Sequence, residues 1–431
     1  MKTLEQIAAQ LQGYDPQALP AASVGEFLAQ LALPVTEVEN VPTADLLGRV
    51  LAQDVVSPIS VPPHDNSAMD GFAFDGSQLA HDAPLELEVV GTALAGKAWQ
   101  GQVGAGQCVK IMTGAVMPAG LDTVVPQEFT RAAGEGRVTV PAGALQRGDN
   151  RRLMGEDLMA GKPALLKGER LGPAACGLLA SLGLPKVTVL RRLRVAYFST
   201  GDEILSLGEP PREGAVYDSN RYTVFGLLTR LGCEVIDLGL VRDDPATLAA
   251  TLQQAAGQAD AIITSGGVSV GAADHTRAVM QQLGDMAFWR VAMRPGRPMA
   301  VGLVPRSQQA LPGSAVLFGL PGNPVAVMVT FLAFVRPALL RMMGCHEIAA
   351  APAPLLRARA ASAIRKKPGR TEYQRGFVRA VAGALPEVRI AGNQGSGVLS
   401  SMVEANGLVV LHHDQGNVAA GDEVDVMMLE A

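Results

Sequence analysis

The sequence predicts a multidomain protein of the α/β plus β class, and two observations support this prediction. Residues 191–345 alternate apolar runs with helical segments, an order typical of a doubly wound parallel sheet with helices on both faces. Residues 61–160 and 352–431 contain short valine-rich runs broken by glycine and proline, which is typical of β domains. Because the chain has 431 residues, about three domains are expected.

The α/β region is predicted to begin with a strand in "RVAYFST" and to continue through "CEVIDLG", "ADAIITS", "PMAVGLV" and "AVLFGL". Helices are expected at 220–231, 274–283 and 324–343. Asp244 followed by Pro245 has the residue types of an N-cap and a first turn, which predicts a further helix through Ala256. The apolar stretch 325–335 is too short to span a bilayer, so it is predicted to be part of a buried helix.

Changes in residue pattern along the rest of the sequence predict the domain boundaries. Residues 61–160 form a β-rich domain inserted into a discontinuous α+β domain made of residues 22–60 and 161–190. The α/β domain covers 191–345 and a C-terminal β domain covers 352–431, after a linker rich in alanine and proline.

Composition excludes several classes of protein. A net charge of −5 provides no basic footprint for nucleic acid, and 48% hydrophobic with 18% charged residues describes a folded chain. The four cysteines are far apart and contain no CxxC pair, which argues against a zinc knuckle or a disulfide framework. With Glu5 and four glutamines near its start, the chain shows no export signal. We therefore expect a cytoplasmic protein with no nucleic-acid or membrane partner.

The stretch "TSGGVSVGAAD" predicts an anion site. Gly266 and Gly267 follow an apolar run, so backbone N–H groups there can approach a ligand closely. Carboxylates at the ends of neighbouring strands, Glu203, Asp243 and Asp274, favour magnesium beside a phosphate. A plain tight turn and a solvated acidic rim are the alternatives, and Asp244 is best explained as a helix cap.

Three arginines form a basic trio in "FWRVAMRPGRPMA". Arg290, Arg294 and Arg297 could form structural ion pairs, but the rigid Pro-Gly bend favours a grip on a tetrahedral oxyanion. The loop "GLPGNP" adds a helix N-terminus at Pro324, whose dipole attracts an anion. The polar string "PPHDNSAMDGFAF" is by itself explained as turn residues, and isolated histidines indicate no zinc site.

Eight motifs in one order carry a family resemblance that extends from about residue 22 to the end. They are "PPHDNSAMDGFAF", "IMTGAVMP", "DNRRLMGED", "FSTGDE", "SGGVSVGAAD", "MRPGRP", "GLPGNP" and "EYQRGF…NQGS". This set resembles the molybdopterin molybdenumtransferase family, which includes the bacterial MoeA proteins and the gephyrin E domain. The first twenty residues fall outside the resemblance.

The resemblance implies an elongated four-domain subunit with a MogA-like α/β domain, forming a homodimer whose cleft is shared between subunits. It implies that Asp70, Thr113 and Asp157 reach the cleft from the insert and act in catalysis with Glu203. It further implies magnesium at Asp243 and Asp274. The implied substrate-binding residues are Gly266, Gly267, Arg290, Arg294, Arg297, Pro321, Pro324, Arg375 and Ser396.

The reaction implied by the resemblance takes adenylated molybdopterin and molybdate, requires Mg²⁺, releases AMP and leaves molybdenum on the dithiolene. A transient contact with molybdopterin adenylyltransferase is a further expectation. Two alternatives remain open: adenylation of molybdopterin by ATP, and a non-enzymatic scaffold. The chain differs from the common family pattern in having arginine where lysine often stands in the trio, and alanine at Ala326 where serine is frequent.

Overall fold

The structure is a computed structural model that describes residues 2–266, 274–306, 313–346 and 350–429. A six-stranded central sheet organises the α/β region. Its strands, in spatial order, are Glu234–Val241, Arg194–Thr200, Ala261–Ser265, Ser314–Leu320, Pro298–Pro305 and Asp285–Arg290.

The central sheet is parallel over its first four strands and antiparallel over the last two. The fully parallel sheet predicted from the alternating pattern is therefore wrong at this edge. The reason is length: the connections 291–297 and 306–313 are shorter than the dozen or so residues that a parallel crossover needs. The strand Asp285–Arg290 was also missed, because its residues contain few of the β-branched signals that mark the other strands.

Helices cover both faces of the central sheet, as predicted. One face packs against Ala21–Leu31, Ser219–Leu231 and the long apolar helix, and the other against Pro245–Gln258 and Asp274–Leu283. Asp244 is confirmed as an N-cap, since its carboxylate accepts a hydrogen bond from the Thr247 N–H at 2.9 Å. The helix Ala21–Leu31 shares its hydrophobic core with the central sheet, although the boundaries predicted from sequence assign residues 22–60 to another domain.

The long apolar helix runs from Pro324 to Met342 and passes through Pro337. Two α-helical parts, Pro324–Thr330 and Arg336–Met342, flank a π-helical segment, Phe331–Val335. The wider π turn accommodates Pro337, which lacks an N–H donor. By length and mean hydropathy of 1.8 this 19-residue helix could cross a membrane, but 67% of its most apolar window is buried inside the fold. A core helix has the same properties, and this burial agrees with the predicted buried helix.

The insert contains a second six-stranded sheet, mostly antiparallel. Its strands, in spatial order, are Thr123–Pro126, Gly71–Phe74, Gln107–Ile111, Leu85–Ala93, Arg137–Val140 and Arg131–Ala132. Short 3₁₀ helices at Gly76–Gln78 and Gln127–Phe129 join the strands. Apolar clusters lie on both faces of the sheet, so the insert has its own core.

Short strand pairs link the segments on either side of the insert. Val38–Pro42 pairs with Lys186–Leu190, Val55–Val56 with Pro163–Leu165, and Asn66–Ser67 with Arg151–Arg152. The helix Pro173–Ser181 and the 3₁₀ helix Thr43–Asp45 complete this region. Further elements are the helices Leu4–Ala8 and Ser400–Glu404 and the paired strands Ile204–Leu205 and Val216–Tyr217.

The C-terminal region forms a closed ring of strands. The ring runs through Thr371–Arg379, Glu387–Ile390, Leu356–Ala360, Glu423–Met428 and Gly407–Leu411, and the last strand pairs again with the first. The short strand Met293–Arg294, which belongs to the α/β region, also pairs in parallel with Thr371–Arg379. This pairing brings Arg294, one member of the predicted arginine trio, against the C-terminal domain.

Candidate active site

A cleft of about 540 Å³ lies between the central sheet and the C-terminal ring. It opens at the carboxyl ends of Arg194–Thr200, Ala261–Ser265 and Ser314–Leu320, where α/β sheets bind their ligands. Seven residues proposed from sequence line it: Glu203, Asp243, Gly266, Arg294, Arg297, Pro321 and Ser396. The cleft therefore joins the acidic strand ends to the arginine bend.

Gly266 forms part of the cleft floor, where only glycine fits. Its φ is +90°, in the left-handed region, and its N–H donates to Leu320 O at 3.3 Å. A Cβ at this position would clash with the backbone oxygen of Thr200. A side chain is thus excluded by both the dihedral angle and the neighbouring strand. Gly267, the second glycine predicted here, lies outside the described residues.

Carboxylates form the wall of the cleft beside Gly266, which we call the acidic wall. Glu203 is exposed and Asp243 is half-buried. Gly201, with φ of +147°, leaves room for the Glu203 carboxylate, because a Cβ there would lie 2.7 Å from Glu203 Oε2. Asp274 begins the helix Asp274–Leu283, but its side chain is outside the described residues. Within the described ranges, no group of three or more histidine, cysteine, aspartate or glutamate side chains could hold a metal by itself.

Arg294 and Arg297 form the opposite wall, which we call the arginine wall. Both side chains are exposed, and neither has a hydrogen-bond or ion-pair partner within the part of the chain that the structure describes. Between them, Gly296 has φ of +98°, and a Cβ there would lie 2.5 Å from Thr330 Oγ1. The Val291 N–H donates to Arg297 O at 2.7 Å and closes the bend, residues 292–297, which we call the arginine loop. Two uncompensated guanidinium groups on a fixed loop are suited to bind an oxyanion.

The loop "GLPGNP" completes the cleft at the start of the long apolar helix. Pro321, Gly322 and Asn323 line the cleft, whereas Pro324, predicted to bind substrate, occupies the first helical turn and does not line it. Asn220 positions this loop, since its side-chain amide donates to Gly322 O at 2.8 Å. The helix N-terminus here adds a partial positive charge at the cleft.

Arg375 lies behind the cleft instead of lining it. Its side chain is 1% exposed, and it donates to Ser401 Oγ at 3.0 Å and to the carbonyl oxygens of Asn393 and Gly395 at 3.0 and 2.9 Å. Burial lowers the pKa of Arg375, and the charge of Arg294 lowers it further. These contacts fix the loop that carries Ser396, whose carbonyl accepts from the Val325 N–H at 3.1 Å. The geometry therefore assigns Arg375 a positioning role for this loop.

Arg290, the first member of the predicted trio, also does not line the cleft. It is half-buried at the end of the edge strand Asp285–Arg290, where it pairs with Pro298. Arg290 is the last residue of this strand, whereas Arg294 and Arg297 lie in the bend that follows it. The sequence reasoning grouped the three because they are close in number.

The insert residues proposed for catalysis form a separate arrangement that does not line this cleft. Asp70 accepts from the Thr113 N–H at 2.6 Å and from Thr113 Oγ1 at 2.7 Å. These two hydrogen bonds, the backbone one first, lower the pKa of Asp70. Asp157 is exposed, and its N–H donates to Val61 O at 3.1 Å. An ionised carboxylate is thus held in a fixed position on the insert.

Sequence reasoning missed several residues of the cleft. Gln394 and Arg370 line it from the C-terminal domain, and Arg370 Nε donates to the buried Glu372 at 2.8 Å. The sequence predicted Asn220 only as the first residue of a helix. Its burial at 6% exposure beside a glycine-rich loop shows its role, but burial cannot be seen in the sequence.

A second pocket of about 470 Å³ adjoins the cleft and shares Arg294 and Arg370 with it. Arg365, Lys366 and Lys367 also line this pocket. The Lys366 ammonium is buried, and it donates to the carbonyl oxygens of Lys367, Gln415 and His413 at 2.8, 3.1 and 3.4 Å. The pocket is strongly basic, so it is the obvious competing position for an anion.

The fold and the cleft define an α/β enzyme with flanking β domains. Its site combines carboxylates with two arginines that have no ion-pair partner among the described residues. Three family regions match the chain: "MoeA N-terminal region (domain I and II)" over residues 20–183, "Probable molybdopterin binding domain" over 196–341, and "MoeA C-terminal region (domain IV)" over 357–429. The chain belongs to the molybdopterin molybdenumtransferase family.

Individual relatives agree with this membership. The chain is 40% identical over 401 residues to a molybdopterin molybdenumtransferase of Haemophilus influenzae, covering 93% of this chain and 96% of that protein. It is 37% identical over 390 residues to one of a Nostoc species, covering 89% and 86%. The crystal structure of a molybdopterin biosynthesis MoeA protein from Pyrococcus horikoshii superimposes with a TM-score of 0.78 at 27% identity, covering 96% of this chain and all of that one. The predicted fold class and family are confirmed.

Proposed function

We propose that this chain transfers molybdenum from molybdate to adenylated molybdopterin in a Mg²⁺-dependent reaction that cleaves the phosphoanhydride and releases AMP. The observation that carries the proposal is the pairing of Arg294 and Arg297, exposed and without ion-pair partners among the described residues, with the carboxylates of Glu203 and Asp243 across one cleft. Such a cleft suits two anionic substrates, one of which brings a cation. Full-length similarity to molybdopterin molybdenumtransferases supports this choice of substrates.

The arginine wall is assigned to molybdate. A tetrahedral dianion offers four oxygens, and two planar guanidinium groups can each donate two hydrogen bonds to it. Because the Val291–Arg297 hydrogen bond and the Gly296 bend fix the loop, the donors are already in position before the substrate arrives. Gln394 and Ser396, on the loop that Arg375 holds, provide further polar groups at the same wall.

The acidic wall is assigned to the adenylated pterin and magnesium. Asp243 and Glu203 fit Mg²⁺, which uses one or two protein carboxylates and completes its shell with water and substrate phosphates. We further assign Asp274 to this set, as the family resemblance implies. The ion would neutralise phosphate charge as AMP leaves. The backbone at Gly266 can approach the phosphates closely because no side chain intervenes.

The insert is assigned to a cleft shared between two subunits of a homodimer. Its fixed Asp70–Thr113 pair does not line the cleft of its own chain, which supports a role in a partner's cleft. Mixing Asp70→Ala and Glu203→Ala proteins, each inactive, should restore activity in one hybrid cleft. Proven heterodimers without recovery would contradict this arrangement.

Two further proposals concern the location and the partners of the protein. The four free cysteines agree with a cytoplasmic location. Transient contact with molybdopterin adenylyltransferase is proposed as a route for substrate delivery.

The direct test is AMP release from adenylated molybdopterin. Release should require both molybdate and Mg²⁺ and should not occur when ATP and molybdopterin replace the adenylated pterin. Adenylation of molybdopterin by ATP would instead establish the alternative adenylyltransferase activity. Binding of the adenylated pterin without turnover at any molybdate concentration would contradict the proposed transferase and favour a scaffold.

A further inference from the structure

Residues 14–19, which we call the N-terminal arm, lie against the base of the arginine loop. The family match begins at residue 20, so it assigns the arm no role. We infer that the N-terminal arm is a positioning element that holds the arginine loop in the geometry needed to bind the oxyanion. The identity of that anion as molybdate rests on the function proposed above.

Three backbone hydrogen bonds join the arm to the strand that enters the loop. The Arg290 N–H donates to Pro16 O at 2.8 Å, the Leu19 N–H donates to Arg290 O at 3.2 Å, and the Ala292 N–H donates to Leu19 O at 2.8 Å. Leu19 and Val291 thus form a parallel bridge. The arm behaves as an added strand at the edge of the central sheet, where polar backbone groups would otherwise be unpaired.

The same strand residues close the loop and join it to the C-terminal domain. Val291, between the two residues bound by the arm, donates its N–H to Arg297 O at 2.7 Å. The carbonyl of Ala292 accepts from the Thr371 N–H at 2.9 Å. The base of the arginine loop is therefore held on one side by the arm and on the other by the C-terminal ring. Losing either support frees the loop to change the spacing of its guanidinium groups.

The arm itself is firmly anchored in the α/β core. Leu19 is fully buried, and Tyr14 OH accepts from Trp289 Nε1 at 2.8 Å. The Trp289 ring packs edge-on against Phe27 at 4.9 Å between centroids. Trp289 lies one residue before Arg290, so the anchor is directly beside the hydrogen-bonded strand residues. An arm that only covered apolar surface would not need contacts on both sides of Val291.

A pair of truncations separates positioning from simple coverage. Deleting residues 2–12 removes the helix Leu4–Ala8 but keeps the arm, whereas deleting residues 2–19 removes the arm as well. We expect the longer deletion to raise the KM for molybdate roughly ten- to a hundredfold, since small misplacements of binding groups have effects of this size. The KM for adenylated pterin should stay unchanged in both proteins, and the shorter deletion should leave both constants unchanged.

A point substitution tests the same inference if the longer deletion does not fold. Leu19→Pro removes the N–H that donates to Arg290 O, and the matched control Ala18→Pro removes an N–H that donates only within the arm, to Asp15 O at 3.2 Å. Hydrogen exchange at the Arg290 and Ala292 amides should accelerate in Leu19→Pro and not in Ala18→Pro. The molybdate KM should rise in Leu19→Pro alone.

Two results would overturn the inference. One is faster exchange at Arg290 and Ala292 with an unchanged molybdate KM, which would show that the loop keeps its geometry without the arm. The other is an equal rise in both KM values, which indicates a general loss of structure. Calorimetric measurement of molybdate binding, without the pterin substrate, distinguishes a failure of the positioning role from a failure of the proposed function. Weaker molybdate binding in Leu19→Pro would support the positioning role even if the wild-type protein released no AMP.

Discussion

The two walls of the cleft are built in different ways. The acidic wall consists of loops that directly follow parallel strands, and Gly266 is fixed there by the adjacent strand end of Thr200. The arginine wall is a bend whose base pairs with the N-terminal arm on one side and with the C-terminal ring on the other. The acidic wall therefore depends on local strand geometry, whereas the arginine wall depends on contacts between segments far apart in the chain.

This difference predicts which substitutions abolish the site and which only weaken one ligand. Some strand-end positions have no room for a side chain. A substitution at such a position disturbs the sheet and every ligand bound beside it. A change at an exposed arginine removes donors for one anion and leaves the fold intact. Three predictions below follow from this difference and a fourth concerns the insert, in order of decreasing effect.

The largest effect is expected from Gly266→Ala. The positive φ and the clash with Thr200 O both oppose a Cβ, so we expect a loss of about 3 kcal/mol or more in unfolding free energy. AMP release should fall roughly a hundredfold because the strand ends move. Thermal or denaturant unfolding and AMP release measure the two effects.

Gly322→Ala is the matched control for this prediction. Gly322 also lines the cleft, but a Cβ there would meet no atom within 4 Å. The unfolding free energy of the Gly322→Ala protein should therefore be close to that of the wild type. If the two alanine variants are equally stable, strand-end geometry does not restrict Gly266 and the contrast between the walls is lost.

Arg297→Ala should weaken molybdate use without affecting stability. Loss of charged hydrogen bonds of roughly 1.5 to 3 kcal/mol corresponds to about a ten- to hundredfold rise in molybdate KM. The control is Arg290→Ala, since Arg290 belongs to the same basic trio but does not line the cleft. A rise in the pterin KM instead would identify the arginines as phosphate ligands and move the oxyanion towards Ser396.

Asp243→Asn should raise the Mg²⁺ concentration needed for AMP release by roughly tenfold or more, because one carboxylate of the proposed ion site is lost. Asp244→Ala is a neighbouring control: its carboxylate caps a helix through the Thr247 N–H and Oγ1, at 2.9 and 2.8 Å. That control should lower stability slightly and leave the Mg²⁺ requirement unchanged. An unchanged requirement in Asp243→Asn would remove this residue from the site.

The smallest effect is a pKa change on the insert. Thr113→Val removes one of the two hydrogen bonds to Asp70, so the pKa of Asp70 should rise towards its ordinary value. A lowered pKa stabilises the folded state above the unfolded-state pKa, and that stabilisation is lost as the pH falls through the folded-state pKa. Thr113→Val should therefore have less of this stabilisation above the unfolded-state pKa, and its difference from the wild type should disappear as the pH falls through the folded-state pKa. Carbon NMR titration of Asp70 measures the shift, and an unmoved pKa would contradict the role of the hydroxyl.

The contrast between the walls also explains what the sequence could predict. Glu203, Asp243 and Gly266 follow apolar runs, and the rule that parallel strands end at one edge places them together without further information. Arg290 and Arg375 could not be placed in this way. Whether a guanidinium faces the cleft depends on the antiparallel edge strand and on the folding of the C-terminal ring, which involve pairings across distant parts of the chain.

The insert and the N-terminal arm show the same limit. Asp70 and Thr113 were selected only through family resemblance, and the motif that contains Asp70 by itself resembles an ordinary turn. The arm has no motif, and its contact with the strand beside Val291 is visible only once the edge of the sheet is known. Sequence patterns thus predicted the α/β class, the acidic strand ends and the bend that carries Arg294 and Arg297. The structure was needed to separate Arg290 from this bend and to show which segments hold it.

The most direct test of the division between the two walls is equilibrium binding of molybdate to the protein without pterin and without Mg²⁺. We predict that the wild type and Asp243→Asn bind molybdate equally, and that Arg297→Ala binds it roughly ten- to a hundredfold more weakly. Lys367→Ala, in the adjoining basic pocket, should bind like the wild type. Weakened binding in Lys367→Ala with normal binding in Arg297→Ala would contradict the assignment and move the oxyanion to the second pocket.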